Sequence, residues 1–277
     1  MLHYNMKKKI LITGSSGYIG SHLCQMLTPR YKVHGLDLLT PKVAVHEFHR
    51  QDINHLSELD EHYDAVVHLA ALVNVGESER QISQYYETNI NGTGRVLQHI
   101  QTDNFVFAST GAAVGGASVY GRSKRVAEDL VREHCDQERA WTTFRFYNVI
   151  GSTAVPPTNP DGLMYNLMQA KERRRFTIFG NDYKTVDGTA VRDYVHVNEI
   201  CTAIARAIEE PANGLENLGH GRGHTVLEMA EIYRRVNGVE FEIDYVARRA
   251  GDMESSVLDT PSRYMQQLYT ITELLKV

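Results

Sequence analysis

The stretch "ILITGSSGYIGSHL", residues 10–23, constrains this chain more than any other. An apolar run passes straight into a turn holding Gly14, Gly17 and Gly20, and then into a helix-like segment. Strand, glycines and helix in that order are what dinucleotide binding needs. One glycine makes the tight turn, one lets a pyrophosphate approach the backbone, and one lets helix and strand pack closely. The helix N-terminus then meets the phosphate charge. The spacing is G-x-x-G-x-x-G rather than G-x-G-x-x-G, so the context carries the reading. Tyr18 and Ile19, inside the turn, join the three glycines as expected cofactor contacts.

The first half of the chain keeps the rhythm that such a turn requires. "KKILIT", "YKVHGLD", "DAVVHLA" and "NFVFAST" read as buried strands. Helix-like segments at 17–28, 55–61 and 79–101 separate them, then "YGRSKRVAEDLVREH" reads as a helix and "WTTFRFYNV" as a strand. Alternating β and α predicts a parallel sheet covered on both faces. After Gly151 a Pro/Gly/Asn loop leads to shorter elements: "FTIFG", "VRDYVHV", a helix over 198–209, "LENLG", a helix over 225–236 and "EFEIDYV". The expected fold is α/β: a Rossmann-type doubly wound parallel sheet with a smaller C-terminal α/β substrate-binding lobe. The expected division is 1–150 and 151–277, with a segment around 190–210 returning to the first domain. An apolar fraction of 42% can build such a core, and a net charge of −5 argues against a nucleic-acid partner. Three cysteines far apart suit a reducing compartment. No stretch approaches transmembrane length, so a cytoplasmic protein is expected.

Asp37 ends the second strand, 17 residues after Gly20. A carboxylate there can accept both adenosine ribose hydroxyls and would repel a 2′-phosphate, with only Leu36, Leu38 and Leu39 around it, which favours NAD over NADP. Asp52 and Ile53, after a third short strand, are expected near the adenine. Tyr120 and Lys124 sit four apart at the head of a helix, after "FAST". Tyr4 and Lys8 share that spacing but precede the first strand, so position rather than spacing separates the two pairs.

The glycine turn, "HLAA" (68–71), "FVFAST" and "YGRSK" occur in the order used by extended short-chain dehydrogenases/reductases. "FRFYNVIG", "IFGNDYKTVDGTAVRDYVHV", "NLGHGRGHTVLEMAEI" and "RRAGDMESSVLD" narrow the match. From about Lys9 to the C-terminus the chain strongly resembles UDP-glucose (UDP-galactose) 4-epimerases. The resemblance implies NAD as cofactor, a UDP-sugar as substrate and a transient 4-keto intermediate. It makes Tyr120 the acid/base, with Lys124 on the same helix face favouring phenolate and reaching the nicotinamide ribose. Thr110 would bond the sugar hydroxyl and relay its proton, with Ser109 as the fallback. Leu69, Ala70, Ala71, Asn89, Ser109 and Tyr147 fall on cofactor positions. Asn148, Leu163, Phe179, Arg192, Arg249, Asp252 and Ser256 fall on substrate positions: the arginines for the diphosphate, Asp252 for a ribose, Leu163 and Phe179 around the uracil. The helices over 79–101 and 119–135 resemble those of a family four-helix interface, which implies a homodimer.

Four departures stand out. Only nine residues, "GAAVGGASV", separate Thr110 from Tyr120, where epimerases usually carry a longer covering loop. Val73 replaces a common cofactor-binding lysine, Gly162 a substrate-contacting asparagine, and Ser256 a tyrosine found in several bacterial members. Related dehydratases place carboxylates beside Thr110; here Gly111, Ala112 and Ala113 stand there. A nucleotide-sugar oxidoreductase or decarboxylase with the same residues, or a non-catalytic NAD-binding sensor, are the alternatives. His46/His49 and His220/His224 lie in no metal-binding spacing, so no metal is expected. "GHGRGHT" lacks a P-loop lysine and reads as a strand–helix turn.

Overall fold

The computed structural model describes residues 7–136, 139–151, 155–249 and 252–276. Tyr4 of the competing Tyr–Lys pair lies outside them. Seven parallel strands form the central sheet: β1 (Lys9–Thr13), β2 (Lys32–Asp37), β3 (Glu47–Arg50), β4 (Ala65–His68), β5 (Asn104–Thr110), β6 (Ala140–Phe146) and β7 (Gly214–Leu218), ordered β7-β6-β5-β4-β1-β2-β3. β1 pairs with β2 on one side and β4 on the other, which demands the unbroken apolar run Ile10, Leu11, Ile12, all fully buried. The order of strands reverses between β1 and β4. In a doubly wound sheet the crevice at that point, outside the carboxyl ends of the strands, is where ligands bind.

Two helices border the crevice and a third packs against the first of them. α1 (Tyr18–Leu27) starts directly from the glycine turn. α2 (Val119–Cys135) is capped by Ser118, whose hydroxyl accepts from the Gly121 amide at 3.0 Å. Its buried residues Val119, Ser123, Ala127, Val131 and Cys135 recur every four positions and bury one stripe. α3 (Val197–Glu209) carries a capping box between His196 and Glu199. Its apolar face (Ile200, Cys201, Ile204, Ile208) shares one core with Leu23 and Leu27 of α1 and Val33 of β2. The short "LENLG" segment comes next and supplies β7, the outermost strand beside β6.

A second core gathers Ile150, Met164, Leu167, Phe176, Ile178, Tyr194 and Tyr233. Around it, strand Arg175–Phe179 pairs in parallel with Glu242–Val246, and strand Val191–His196 pairs with Asn148–Ile150, Gly223–Thr225 and Ser255–Ser256. Two expected helices are corrected here. Over 55–61 only Ile53–His55 is helical, as one 3₁₀ turn, because the segment has too few apolar residues to bury a helical face. The 79–101 helix runs instead from Ile82 to His99 and contains a π turn, Glu87–Gly92. That turn faces Ile53: a Cβ on Gly92 would lie 2.9 Å from the Ile53 side chain.

Candidate active site

A cavity of about 900 Å³ opens at the carboxyl ends of the central strands, between sheet and second lobe. The glycine turn forms its floor. Gly14 has φ +71°, and a Cβ there would meet the Ala70 amide nitrogen at 2.7 Å. A Cβ on Gly20 would lie 2.1 Å from the Gly14 carbonyl oxygen, so only glycine lets α1 approach the turn. No side chain caps the N-terminus of α1 at Gly17, and Gly17, Tyr18, Ile19 and Gly20 all line the cavity. This bare, close-packed helix start fits a dinucleotide pyrophosphate.

Asp37 closes β2 on the cavity wall. Its carboxylate accepts from the Ser16 and Leu39 amides, each at 2.9 Å, which fixes its direction. Asp52 accepts from the Asn54 amide at 2.9 Å and lines the same end with Ile53. Leu69, Ala70 and Ala71 form the opposite wall. Below them His68 is fully buried, bonded to the hydroxyls of Thr13 (2.7 Å) and Thr93 (3.0 Å). Burial, with Lys124 nearby, pushes its pKa down to about 3, so it stays neutral. His68 therefore braces the floor, a role with no local sequence signal.

Tyr120, Lys124 and Glu128 succeed one another at four-residue steps along α2. Burial pushes the pKa of the Tyr120 hydroxyl up to about 12, and the neighbouring Thr110 side chain opposes that rise. Lys124 is 2% exposed, with Nζ 4.1 Å from the centre of the Phe107 ring. Burial pushes its pKa down to about 7, while the Glu128 charge pulls it back up. Glu128 is held in turn by Arg145, Nε at 2.8 Å and Nη2 at 2.6 Å, and by the Ser109 hydroxyl. The Ser109 hydroxyl is thus committed to Glu128, and Thr110 is the neighbouring hydroxyl that reaches Tyr120. The sequence signal for Glu128 is its place as the next step on the tyrosine–lysine face; Arg145, on β6, has none.

Asn89 is the one expected site residue that does not line the cavity. It is completely buried, accepting from the Leu72 amide at 2.9 Å and donating to the Leu72 carbonyl (2.9 Å) and the Ser123 hydroxyl (3.0 Å). Both of its donor hydrogens and one acceptor site of its amide oxygen tie the segment after "HLAA" to α2, so Asn89 braces the cavity wall from behind. The amine end of α2 is tethered from the same direction: Ser78 Oγ accepts from the Tyr120 amide (3.1 Å) and Glu79 from the Val119 amide (2.7 Å). Those two residues, far upstream in the chain, carry no sequence signal.

Across the cavity stand the second-lobe residues. Arg192 and Asp252 form an ion pair at 2.5 Å, and Arg192 sits opposite Ser256 in the strand ladder. The Arg249 guanidinium lies 3.8 Å from the centre of the Phe179 ring and donates to the Asp161 carbonyl at 3.4 Å. The Phe179 ring, expected with Leu163 around the uracil, thus carries a guanidinium against its face. Tyr147, Asn148, Leu163, Phe179, Arg192, Arg249, Asp252 and Ser256 all line the cavity, as do Val73 and Gly162. The short segment before Tyr120 folds as one helical turn, Ala112–Gly115, and ends in left-handed Gly116.

A family model described as "NAD dependent epimerase/dehydratase family" matches residues 10–219, and the chain belongs to that family. The UDP-glucose 4-epimerase of Bos taurus is 30% identical over 321 residues, covering 95% of this chain and 91% of the relative. The crystal structure of a UDP-glucose-4-epimerase from Stenotrophomonas maltophila with bound NAD and formylated UDP-arabinopyranose superposes with a TM-score of 0.85 at 28% identity, covering 97% of this chain and 96% of that one. The UDP-Glc/GlcNAc 4-epimerase of Campylobacter jejuni gives a TM-score of 0.78 at 27% identity, covering 97% and 98%.

Proposed function

We propose that the protein is an NAD-dependent epimerase that inverts C4 of a UDP-hexose, with UDP-glucose and UDP-galactose as the primary pair. One observation carries this reading: Tyr120, Thr110 and Lys124 meet on the wall of a single cavity, between a glycine cradle and a cluster of arginines. The glycine turn and Asp37 would hold the dinucleotide, and Lys124 the nicotinamide ribose. Bound oxidised nicotinamide supplies a reversible hydride acceptor for C4 and a positive charge beside Tyr120. Arg192 and Arg249 anchor the diphosphate with their fixed donor forks. Binding separates Arg192 from Asp252, freeing that carboxylate for the ribose. Thr110 bonds the C4 hydroxyl and passes its proton to the Tyr120 phenolate, and the same path returns it after the 4-keto sugar has turned over. An anchored nucleotide with a loosely held sugar suits that rotation. With Gly111, Ala112 and Ala113 after Thr110, the segment offers no acid for elimination. Incubation with UDP-galactose and NAD should yield UDP-glucose by NMR; an unchanged sugar at C4 would remove the proposal.

Asp37 sets the cofactor. Its carboxylate stands where a 2′-phosphate would lie, so NAD should bind at least about tenfold more tightly than NADP. Equal affinities by calorimetry would contradict its placement.

Ser256 sets the sugar. It lines the cavity beside Arg192, where a tyrosine ring would fill space near the sugar C2 substituent. The protein should therefore also turn UDP-N-acetylglucosamine and its galacto partner. Ser256→Tyr should reduce the N-acetylated reaction by more than about tenfold relative to the hexose reaction. An unchanged ratio of the two rates, or a wild type blind to the N-acetylated sugar, would sink this assignment.

A homodimer in the cytoplasm completes the proposal. Ile82, Tyr86 and Val126 are 48%, 36% and 47% exposed on the two helical segments assigned to the interface. Sedimentation should give a dimer that Val126→Glu dissociates; a monomeric wild type would refute it.

A further inference from the structure

β2 and β3 run parallel with His34 opposite Glu47 and Leu36 opposite His49. Side chains two apart on a strand share a face. His34, Glu47 and His49 therefore emerge on one face at the edge of the sheet, outside the cavity. One atom from each, an imidazole nitrogen or a carboxylate oxygen, lies within 4.8 Å of the others. His34 Nδ1 is 3.7 Å from Glu47 Oε2, and His49 Nε2 is 3.7 Å from Glu47 Oε1. Glu61 brings a second carboxylate oxygen to 3.7 Å from His34 Nδ1. These separations exceed a hydrogen bond, so the groups converge without bonding one another. The Tyr63 hydroxyl lies 3.4 Å from His34 Nδ1 and 3.5 Å from His49 Nε2, too far for good bonds to either. His34 is fully buried, and its Nε2 has no hydrogen-bond partner among the described residues.

We infer that His34, His49 and Glu47 bind a divalent transition-series cation of the Zn²⁺ class, with Glu61 available as a fourth ligand. Two imidazoles with carboxylate oxygen are a zinc donor set, whereas Mg²⁺ and Ca²⁺ prefer all-oxygen shells. Ligand atoms around tetrahedral zinc stand about 3.3 Å apart, given metal–ligand distances of roughly 2.0–2.1 Å. Closing the cluster needs only side-chain rotation of Glu47, which is 43% exposed, and of His49, which is 16% exposed. Lys9 and Lys32 are the cations facing the site; Lys9 is already paired with Glu61 at 2.7 Å. β3 is the outermost strand, so the metal would staple the sheet edge to β2, the strand that ends in Asp37. The role is structural and involves no chemistry at the sugar. His34 and His49 are fifteen positions apart, and only the ladder unites them.

The test is calorimetric titration of untagged, chelator-treated protein with ZnCl₂, paired with melting temperatures. One equivalent should bind with micromolar affinity and raise the melting temperature by several degrees, and MgCl₂ should do neither. Glu47→Gln and His49→Gln, both partly exposed and remote from the cavity, should each weaken zinc binding at least about tenfold and abolish the thermal shift. Their metal-free stability and turnover should match the wild type. His62→Gln, at another histidine–carboxylate pair, should change nothing. Wild-type zinc affinity in either cluster variant, or no thermal shift at saturating zinc, would overturn the site.

Discussion

Tyr120→Phe should lower turnover by about three orders of magnitude while NAD affinity stays near that of the wild type. The ring keeps its packing at the start of α2, and its amide still donates to Ser78. Only the hydroxyl beside Thr110 is lost, and with it the group proposed to take and return the C4 proton. Burial raises the pKa of that hydroxyl to about 12, so the free protein holds it as neutral phenol at pH 7. Positive charge beside it is needed to reach phenolate, which is why tyrosine, lysine and nicotinamide must act together. Turnover from initial rates and NAD affinity from calorimetry decide the matter. A variant with near-wild-type kcat would show that the proton travels elsewhere; one that no longer binds NAD would show a structural role instead.

Lys124→Met should lose about a hundredfold in turnover and yet gain thermal stability, most strongly at low pH. Lys124 is buried, and its pKa falls from 10.5 to about 7. Between those values the unfolded chain binds a proton that the native protein does not, so stability rises with pH across the window. The cost of the buried charge is fully present below about pH 7 and gone above about 10.5. Methionine fills similar volume without charge, and Glu128 keeps Arg145 and Ser109 as partners. The melting-temperature advantage of the variant should therefore be large at pH 6 and small at pH 9.5. An advantage that does not shrink with pH, or a loss of equal size at both, would contradict the burial argument.

The residues legible in the sequence are those whose chemistry is local. Gly14, Gly17 and Gly20 sit within one turn, and their constraint is steric: added Cβ atoms would crowd backbone of the turn itself or of the segment that follows β4. Tyr120 and Lys124 share a helix face, so spacing and position suffice. The central sheet is readable from runs such as "ILIT", because a strand paired on both sides has no polar face. What stays hidden depends on contacts between distant segments. Asn89 resembles a cofactor ligand by position, but the π turn points its amide at Leu72 and Ser123. Ser109 looks interchangeable with Thr110 until Glu128 and Arg145, from helix and sheet, claim its hydroxyl. The "LENLG" segment gives no hint that it joins β6, because Leu218 is the one apolar residue it buries, in a core shared with α3.

In the proposed reaction, hydrogen leaves C4 of the sugar and returns to the opposite face of the same carbon. UDP-galactose deuterated at C4, incubated with the purified protein and NAD in ordinary water, tests that step most directly. The expected product is UDP-glucose that keeps its deuterium at C4, because the label never enters solvent. Product carrying solvent hydrogen at C4, or no product at all while UDP-galactose and NAD both bind, would contradict it.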